Sequence, residues 1–135
     1  MNKQPKNFYV FRHGECPFNI TDHLQGQKFD GSLTQQGCRQ AENIGRRLSG
    51  KSIEVIVSSP MRRARQTAQI ADRWLHVPIL IDRRLIEVNM GVAEGMHISS
   101  VEKNFSALYQ RWRNADPSDT CLLYTSPSPR DRQKS

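Results

Sequence analysis

Arg12, His13 and Gly14 form a tripeptide whose side chains could handle a phosphoryl group. A neutral imidazole can act as a nucleophile toward phosphorus, and an adjacent guanidinium can hold two phosphoryl oxygens and offset developing charge. Gly14 would let an oxyanion approach the backbone closely. The alternative for His13 is a capping or hydrogen-bonding role at the end of a strand.

A second candidate segment begins at Ser58-Ser59-Pro60 and continues into Arg62, Arg63 and Arg65. Ser at the cap and Pro in the first turn predict the start of a helix. The N–H groups at such a start favour an anion, and one arginine could serve as a second clamp. Periodicity alone favours a different interpretation, in which the three arginines lie on a solvated helix face.

Strands are predicted to position both segments. Phe8–Phe11 is a short apolar run that leads directly into Arg12, Ile53–Val57 leads into Ser58, and Ile79–Ile81 follows Pro78. These runs are typical of buried strands. Because ligands bind at the carboxyl ends of parallel strands, both candidate segments are expected at one edge of the sheet.

Helices alternate with these strands. Thr34 is expected to cap a helix over 35–49, and an apolar stripe predicts a second helix over about 60–75. Residues 83–95 are expected to be irregular. Ser99–Glu102 fits a capping box for a further helix whose apolar stripe comprises Val101, Phe105, Leu108, Tyr109 and Trp112. The alternation predicts an α/β domain with a parallel sheet.

Composition limits the class of protein. The chain has 135 residues and a formal net charge of +7, which suggests an anionic partner without naming one. No apolar run approaches the ~20 residues of a membrane helix, and the polar start does not resemble a secretory signal. The three cysteines form neither a disulfide framework nor a paired zinc pattern, so a reducing, cytoplasmic setting is expected.

Residues 121–135 differ from the rest of the chain. Pro127 and Pro129 exclude a regular helix, and no amphipathic pattern is present. The segment resembles a translated sequencing adapter, so it is expected to be a non-native, disordered tail. The alternative is a genuine basic terminus. We therefore expect residues 1–120 to be the N-terminal part of a single domain.

Four ordered blocks resemble the signature of the histidine phosphatase superfamily, also called phosphoglycerate mutase-like. They cover about residues 8–98, and a set in this order is far more specific than an isolated Arg-His-Gly. The blocks are Phe11–Glu15 with Asn19; Gln25-Gly26, Asp30 and Leu33–Ala41; Ser58–Ala68; and Leu85–Glu87 with Gly91 and Glu94-Gly95.

The resemblance implies a three-layer sandwich around a mostly parallel sheet. It also implies that His13 is the nucleophile, that Arg12 and Arg63 bind phosphoryl oxygens, and that Glu87 is the general acid and base. Asn19 and Thr34 would contact substrate, although Thr34 is equally well explained as a helix cap, and Glu87 as a surface carboxylate. The family needs no metal and no organic cofactor for hydrolysis.

The second catalytic His of this family, in a later His-Gly pair, does not occur after His97. Family members are longer, so we expect the fold to be incomplete and this 135-residue fragment to be poorly folded and nearly inactive. The full-length parent is expected to be an enzyme.

The resemblance favours a phosphatase acting on a small phosphorylated metabolite. Mutases carry a basic and aromatic stretch after the catalytic Glu, whereas Val88-Asn89-Met90-Gly91 follows Glu87 here. A phosphoglycerate-type mutase and a catalytically inactive phospho-ligand binding module remain alternatives. The clustered arginines lack the interleaved aromatic residues of a nucleic-acid surface, and neither nucleic acid nor membrane is expected as a partner. The sequence does not indicate an oligomeric state.

Overall fold

A computed structural model describes residues 6–114 of the chain. Its regular elements are, in chain order, α1 (Pro17–Ile20), α2 (Gln35–Leu48), β1 (Ile56–Ser58), α3 (Arg62–Leu75), β2 (Ile79–Ile81), α4 (Ile98–Asn104) and α5 (Ser106–Asn114). Two 3₁₀ turns, Arg83–Leu85 and Gly91–Ala93, lie in the segment expected to be irregular. The short helix α1 lies where the sequence predicted only a loop.

The sheet of the described region consists of β1 and β2, which pair in parallel. Ile56 is opposite Ile79, and Ser58 is opposite Ile81. Helix α3 connects the two strands, as parallel pairing requires a crossover. The predicted α/β class and the strand at Ile79–Ile81 are confirmed, and the other strand is shifted a few residues toward Ser58.

The prediction of a strand at Phe8–Phe11 is wrong. These residues carry no strand, and the side chains of Phe8 and Val10 are 87% and 96% exposed. A strand needs a hydrogen-bonded neighbour. Within residues 6–114 the two named strands pair only with each other, so this run has no neighbouring strand.

Helix α2 begins as predicted. The Thr34 hydroxyl accepts a hydrogen bond from the Gly37 N–H at 3.0 Å, which is the usual N-cap contact. Helix α2 then packs against α3, and Gly45 lets the two helices approach because a Cβ there would collide with Ala71 and Trp74. The α2–α3 pair forms one helical layer beside the strands.

Helix α3 begins later than predicted, and neither serine caps it. Met61 is the N-cap residue without a side-chain cap. Instead, the Asp30 carboxylate accepts hydrogen bonds from the N–H groups of Arg62 at 2.6 Å and Arg63 at 3.3 Å. The prediction that this helix start offers N–H groups to a bound anion is therefore wrong for these two groups, because a carboxylate of the protein occupies them.

The C-terminal helical region also differs from the prediction. It forms two helices separated at Phe105, and His97 caps α4 by accepting the Ser99 N–H at 3.1 Å. The predicted capping box at Ser99–Glu102 is therefore wrong. Val101 and Tyr109 are buried as the stripe predicts. The side chains of Leu108 and Trp112, and the whole of 121–135, lie outside the described residues.

An apolar cluster joins this region to the rest of the fold. Its buried members are Leu24, Met90, Ala93, Val101 and Tyr109. Leu24 also pairs by its backbone with Met96 and Gly95, at 3.0 and 2.7 Å. The cluster therefore fixes the loop after α1 against the segment that precedes α4. No helix within the described part of the chain is long and apolar enough to cross a membrane.

Candidate active site

One cleft brings together five of the predicted site residues. Arg12, His13, Asn19, Arg63 and Glu87 all line it. Its remaining lining residues come from the loop after α1 and from the segment after Glu87, and they are His23, Leu24, Gln25, Gly26 and Met90. The residues converge from three stretches of chain far apart in sequence.

His13 is held in a defined orientation at the buried side of this cleft. The residue is 8% exposed, and Nδ1 lies 2.5 Å from the carbonyl oxygen of Gly14. Because a carbonyl oxygen only accepts hydrogen bonds, Nδ1 must carry the proton. In the neutral ring the lone pair is therefore on Nε2, which is the nucleophilic nitrogen of this tautomer.

Gly14 has a packing requirement that the sequence did not indicate. A Cβ at Gly14 would overlap the carbonyl oxygen of Gly37 at the start of α2, and a Cβ at Gly37 would overlap the backbone of Glu15. The Gly14 N–H also donates to the Thr67 hydroxyl at 2.9 Å. The two glycines thus let α2 press directly against the His13 loop.

Arg63 is the arginine that turns inward. Its side chain is 1% exposed, whereas Arg62 and Arg65 are exposed. Nη2 donates to the Gly26 carbonyl at 3.0 Å, and Nη1 donates to the Phe29 carbonyl at 3.3 Å and pairs with Asp30 at 3.2 Å. The solvated-face interpretation therefore holds for Arg62 and Arg65 and fails for Arg63.

Glu87 lies beside Arg63 and not on the open surface. Its side chain is 10% exposed, and Oε2 lies 3.7 Å from Arg63 Nη2. Oε1 accepts the Val88 N–H at 3.0 Å, and the Glu87 carbonyl accepts from Gln27 Nε2 at 2.7 Å. These contacts are inconsistent with a mere surface carboxylate.

The remaining predicted residues take different positions. Arg12 is exposed at the cleft. The Asn19 carboxamide oxygen accepts the Cys16 N–H at 2.8 Å and so caps α1. Thr34 is absent from the lining of the cleft, and its hydroxyl donates to Glu15 Oε1 at 2.8 Å. Substrate contact by Asn19 or Thr34 stays a prediction.

Two further observations concern charge and metal. Outside the cleft, hydrogen bonds from Arg84 lower the pKa of Asp82 to about 2. Across residues 6–114, no group of three or more His, Cys, Asp or Glu side chains could hold a metal ion.

The sequence model of the histidine phosphatase superfamily (branch 1) matches residues 8–133. The chain belongs to the histidine phosphatase superfamily. The matched residues include Arg12, His13, Arg63 and Glu87, which all line the cleft.

Known relatives agree with this membership. Over 107 residues the chain is 36% identical to a protein of Erwinia tasmaniensis named "Probable phosphoglycerate mutase GpmB". This alignment covers 79% of this chain and 47% of that protein. A solved mycobacterial glucosyl-3-phosphoglycerate phosphatase with VO3 is 29% identical with a TM-score of 0.70, covering 75% of this chain and 50% of that one. Bacillus stearothermophilus YhfR is also 29% identical with a TM-score of 0.70, covering 87% and 55%. The chain spans about half the length of the curated relatives it matches.

The sequence did not indicate two carboxylates that lie outside the lining of the cleft and hold its residues in place. Asp30 anchors Arg63 and α3, and the Glu94 carboxylate accepts three backbone hydrogen bonds. Both residues occur within the matching blocks, which was the available signal, but their types and spacing alone indicate no specific partner.

Proposed function

We propose that the protein containing this segment transfers a phosphoryl group through a phosphohistidine and hydrolyses a small phosphomonoester. The observation that carries the proposal is the Nδ1–Gly14 contact of His13, which leaves Nε2 as the basic nitrogen in a cleft shared with Arg12, Arg63 and Glu87. The family membership supports the same chemistry.

In the first step, the lone pair of His13 Nε2 attacks phosphorus and forms a P–N bond. The P–O bond to the leaving group breaks, and its oxygen takes a proton from the Glu87 carboxyl. Arg12 and Arg63 bind the non-bridging oxygens, whose charge they offset. The proton transfer requires a protonated Glu87 carboxyl at this point, and Glu87 lines the same cleft as His13.

In the second step, water attacks phosphorus and the Glu87 carboxylate takes the proton from that water. The P–N bond breaks, its electron pair returns to the imidazole, and inorganic phosphate leaves. His13 and Glu87 then have their starting protonation states. In this scheme His13, Glu87, substrate and water account for every proton and electron pair that moves, and we propose no metal or organic cofactor.

The chain itself is proposed to be incomplete for this reaction. Residues 1–120 would form the N-terminal part of one domain, and 121–135 would be a non-native tail. A second catalytic His is expected in the longer protein, because the resemblance implies one and none follows His97 in a His-Gly pair. The 135-residue polypeptide alone is therefore expected to have little activity.

Hydrolysis is favoured over mutase activity, with a small phosphorylated metabolite as substrate. Two observations point in different directions: a similar solved structure is a phosphatase, and curated relatives are named as mutases. The uncharged segment Val88–Gly91 supports the phosphatase, because a phosphoglycerate mutase must hold a second anionic group. We also propose a cytoplasmic setting, without nucleic acid or membrane as partners.

Trapping the phosphoenzyme tests this proposal. The protein encoded by the reading frame that continues past codon 120, called the uninterrupted protein, would be expressed. It would then be incubated with a ³²P-labelled phosphomonoester. Acid-labile label is expected in wild type and absent in His13→Ala. His76→Asn is the matched control, because His76 is exposed with φ of 54°, a conformation that Asn tolerates.

Three outcomes distinguish the candidates. Release of inorganic phosphate identifies a phosphatase, whereas transfer of label to a second phosphoglycerate position identifies a mutase. Ligand binding without label on His13 identifies a binding module. Full turnover in His13→Ala contradicts the phosphohistidine mechanism.

A further inference from the structure

The carboxylate of Glu94 accepts hydrogen bonds from three backbone N–H groups in two separate segments. Oε1 accepts from Gln27 at 3.0 Å and from Met90 at 3.0 Å, and Oε2 accepts from Lys28 at 2.9 Å. Hydrogen bonds to an ionised acceptor are stronger than neutral ones. Glu94 therefore ties the 26–28 turn to the segment that follows Glu87.

The chain makes room for this carboxylate at Gly26. Gly26 has φ of +57°, and a Cβ there would overlap the carboxyl group of Glu94. A glycine is thus required both by the left-handed backbone and by the close approach of Glu94. The turn is shaped around the Glu94 side chain.

The 26–28 turn contacts both Arg63 and Glu87, two of the proposed catalytic residues. The Gly26 carbonyl accepts from Arg63 Nη2 at 3.0 Å. The Gln27 side chain donates to the Glu87 carbonyl at 2.7 Å. A displacement of the 26–28 turn would therefore act on the guanidinium of Arg63 and on the backbone from which the Glu87 carboxyl projects.

We propose that Glu94 is a positioning residue that sets the placement of Arg63 and Glu87 relative to the His13 nucleophile. Glu94 is not among the residues that line the cleft, so it would act through Arg63 and Glu87. The inference rests on the proposed function. Since a misplacement of about 1 Å can cost ~100-fold in rate, loss of the three hydrogen bonds should affect the chemical step beyond any effect on stability.

The substitution Glu94→Gln keeps the size of the side chain but replaces one acceptor by an NH₂ group that faces a backbone N–H. Glu102→Gln is the matched control, because Glu102 is exposed on α4. The readout is kcat/KM of the uninterrupted protein for an alkyl phosphate and for p-nitrophenyl phosphate. A smaller folded fraction lowers both values by the same factor, whereas a displaced Glu87 lowers the value for the poorer leaving group more.

For Glu94→Gln we expect the alkyl phosphate to lose at least ~10-fold more activity than p-nitrophenyl phosphate, with no change in that ratio for Glu102→Gln. An unchanged ratio would overturn the inference while leaving the proposed function intact. Absence of turnover of both esters by the wild-type protein would instead refute the proposed function.

Amide hydrogen exchange gives a second readout that does not depend on activity. Because the wild-type protein is measured first, this test can overturn the inference even if a variant folds poorly. The amides of Gln27, Lys28 and Met90 are expected to exchange slowly in wild type and at least ~10-fold faster in the conservative variant Glu94→Asp, whose shorter side chain cannot reach all three donors. Fast exchange of these amides in wild type would show that the clamp does not form and would overturn the inference.

Discussion

Asp30 and Arg63 are joined twice, because one carboxylate oxygen of Asp30 contacts both the backbone N–H and the guanidinium of Arg63, at 3.3 and 3.2 Å. The other oxygen accepts the Arg62 N–H at 2.6 Å. A single carboxylate therefore caps α3 and balances a cation whose side chain is 1% exposed. The start of the helix and the charge of the cleft depend on the same residue.

Replacement of Asp30 by Ala is expected to lower the free energy of unfolding by about 2–4 kcal/mol, because it removes a helix cap and the nearer of the two carboxylates that pair with the buried guanidinium of Arg63. Urea denaturation of the uninterrupted protein measures the change. Asp22→Asn is the matched control, since Asp22 is exposed with φ of 54° and should change stability by less than ~0.5 kcal/mol. Equal midpoints for the two variants would contradict the double role of Asp30.

A second prediction concerns the close approach of Gly37, in helix α2, to the backbone of Gly14 and Glu15. Gly37→Ala should destabilise the protein by about 1–3 kcal/mol despite the better helix propensity of Ala, because its Cβ would push into the backbone of Glu15. Gly50→Ala is the control, since no atom lies within 4 Å of a Cβ there. Thermal melts of both variants measure the difference, and a melt of Gly37→Ala equal to that of Gly50→Ala would refute the close approach.

Local patterns predicted the elements that depend on neighbouring residues. The Thr34 cap and helix α2 follow from short-range spacing, and the alternation of strands and helices predicted the parallel pair β1–β2 with α3 between them. The resemblance also distinguished Arg63 from Arg62 and Arg65, which periodicity could not do. The buried position of Arg63 agrees with that choice.

Elements that depend on distant partners could not be predicted from the sequence. Asp30 caps a helix that begins 32 residues later, and Glu94 binds the backbone of a residue 66 positions away. Serine and proline before α3 were a strong local signal, but a carboxylate from another segment occupies the helix start. The apolar run at Phe8–Phe11 likewise predicts a strand that needs a partner the sequence pattern cannot supply.

Arg63→Lys is expected to lower kcat/KM by about 100-fold, because an ammonium cannot replace the planar fork that contacts Gly26 and Phe29 and that is proposed to bind the phosphoryl group. Arg65→Lys is the matched control on the same helix, and its activity should equal that of wild type because Arg65 is exposed. Initial rates with p-nitrophenyl phosphate measure both variants. A loss below ~3-fold for Arg63→Lys would argue against phosphoryl binding by Arg63.

Glu87→Gln should separate the two steps of the reaction. An activated leaving group such as p-nitrophenolate needs little protonation, so the phosphohistidine should still form, whereas water attack lacks its base and should slow by about 100-fold or more. Labelled protein is therefore expected to accumulate and persist in a pulse-chase experiment. Glu42→Gln, at a partly exposed position on α2, serves as the control. Rapid loss of label from Glu87→Gln would exclude Glu87 as the base.

The pair of Asp82 and Arg84 predicts a dependence on pH that is independent of catalysis. Hydrogen bonds from Arg84 lower the pKa of Asp82 from 3.8 to about 2. Because the folded-state pKa lies below the unfolded value, the stabilisation is present above about pH 4 and is lost as the pH falls toward 2. Arg84→Gln should return the pKa of Asp82 toward its usual range, which a ¹³C NMR titration of the carboxyl group measures. Arg83→Gln is the control, because the side-chain contacts of Asp82 come from Arg84. If the pKa of Asp82 rose in Arg83→Gln and not in Arg84→Gln, the assignment of Arg84 as its partner would be wrong.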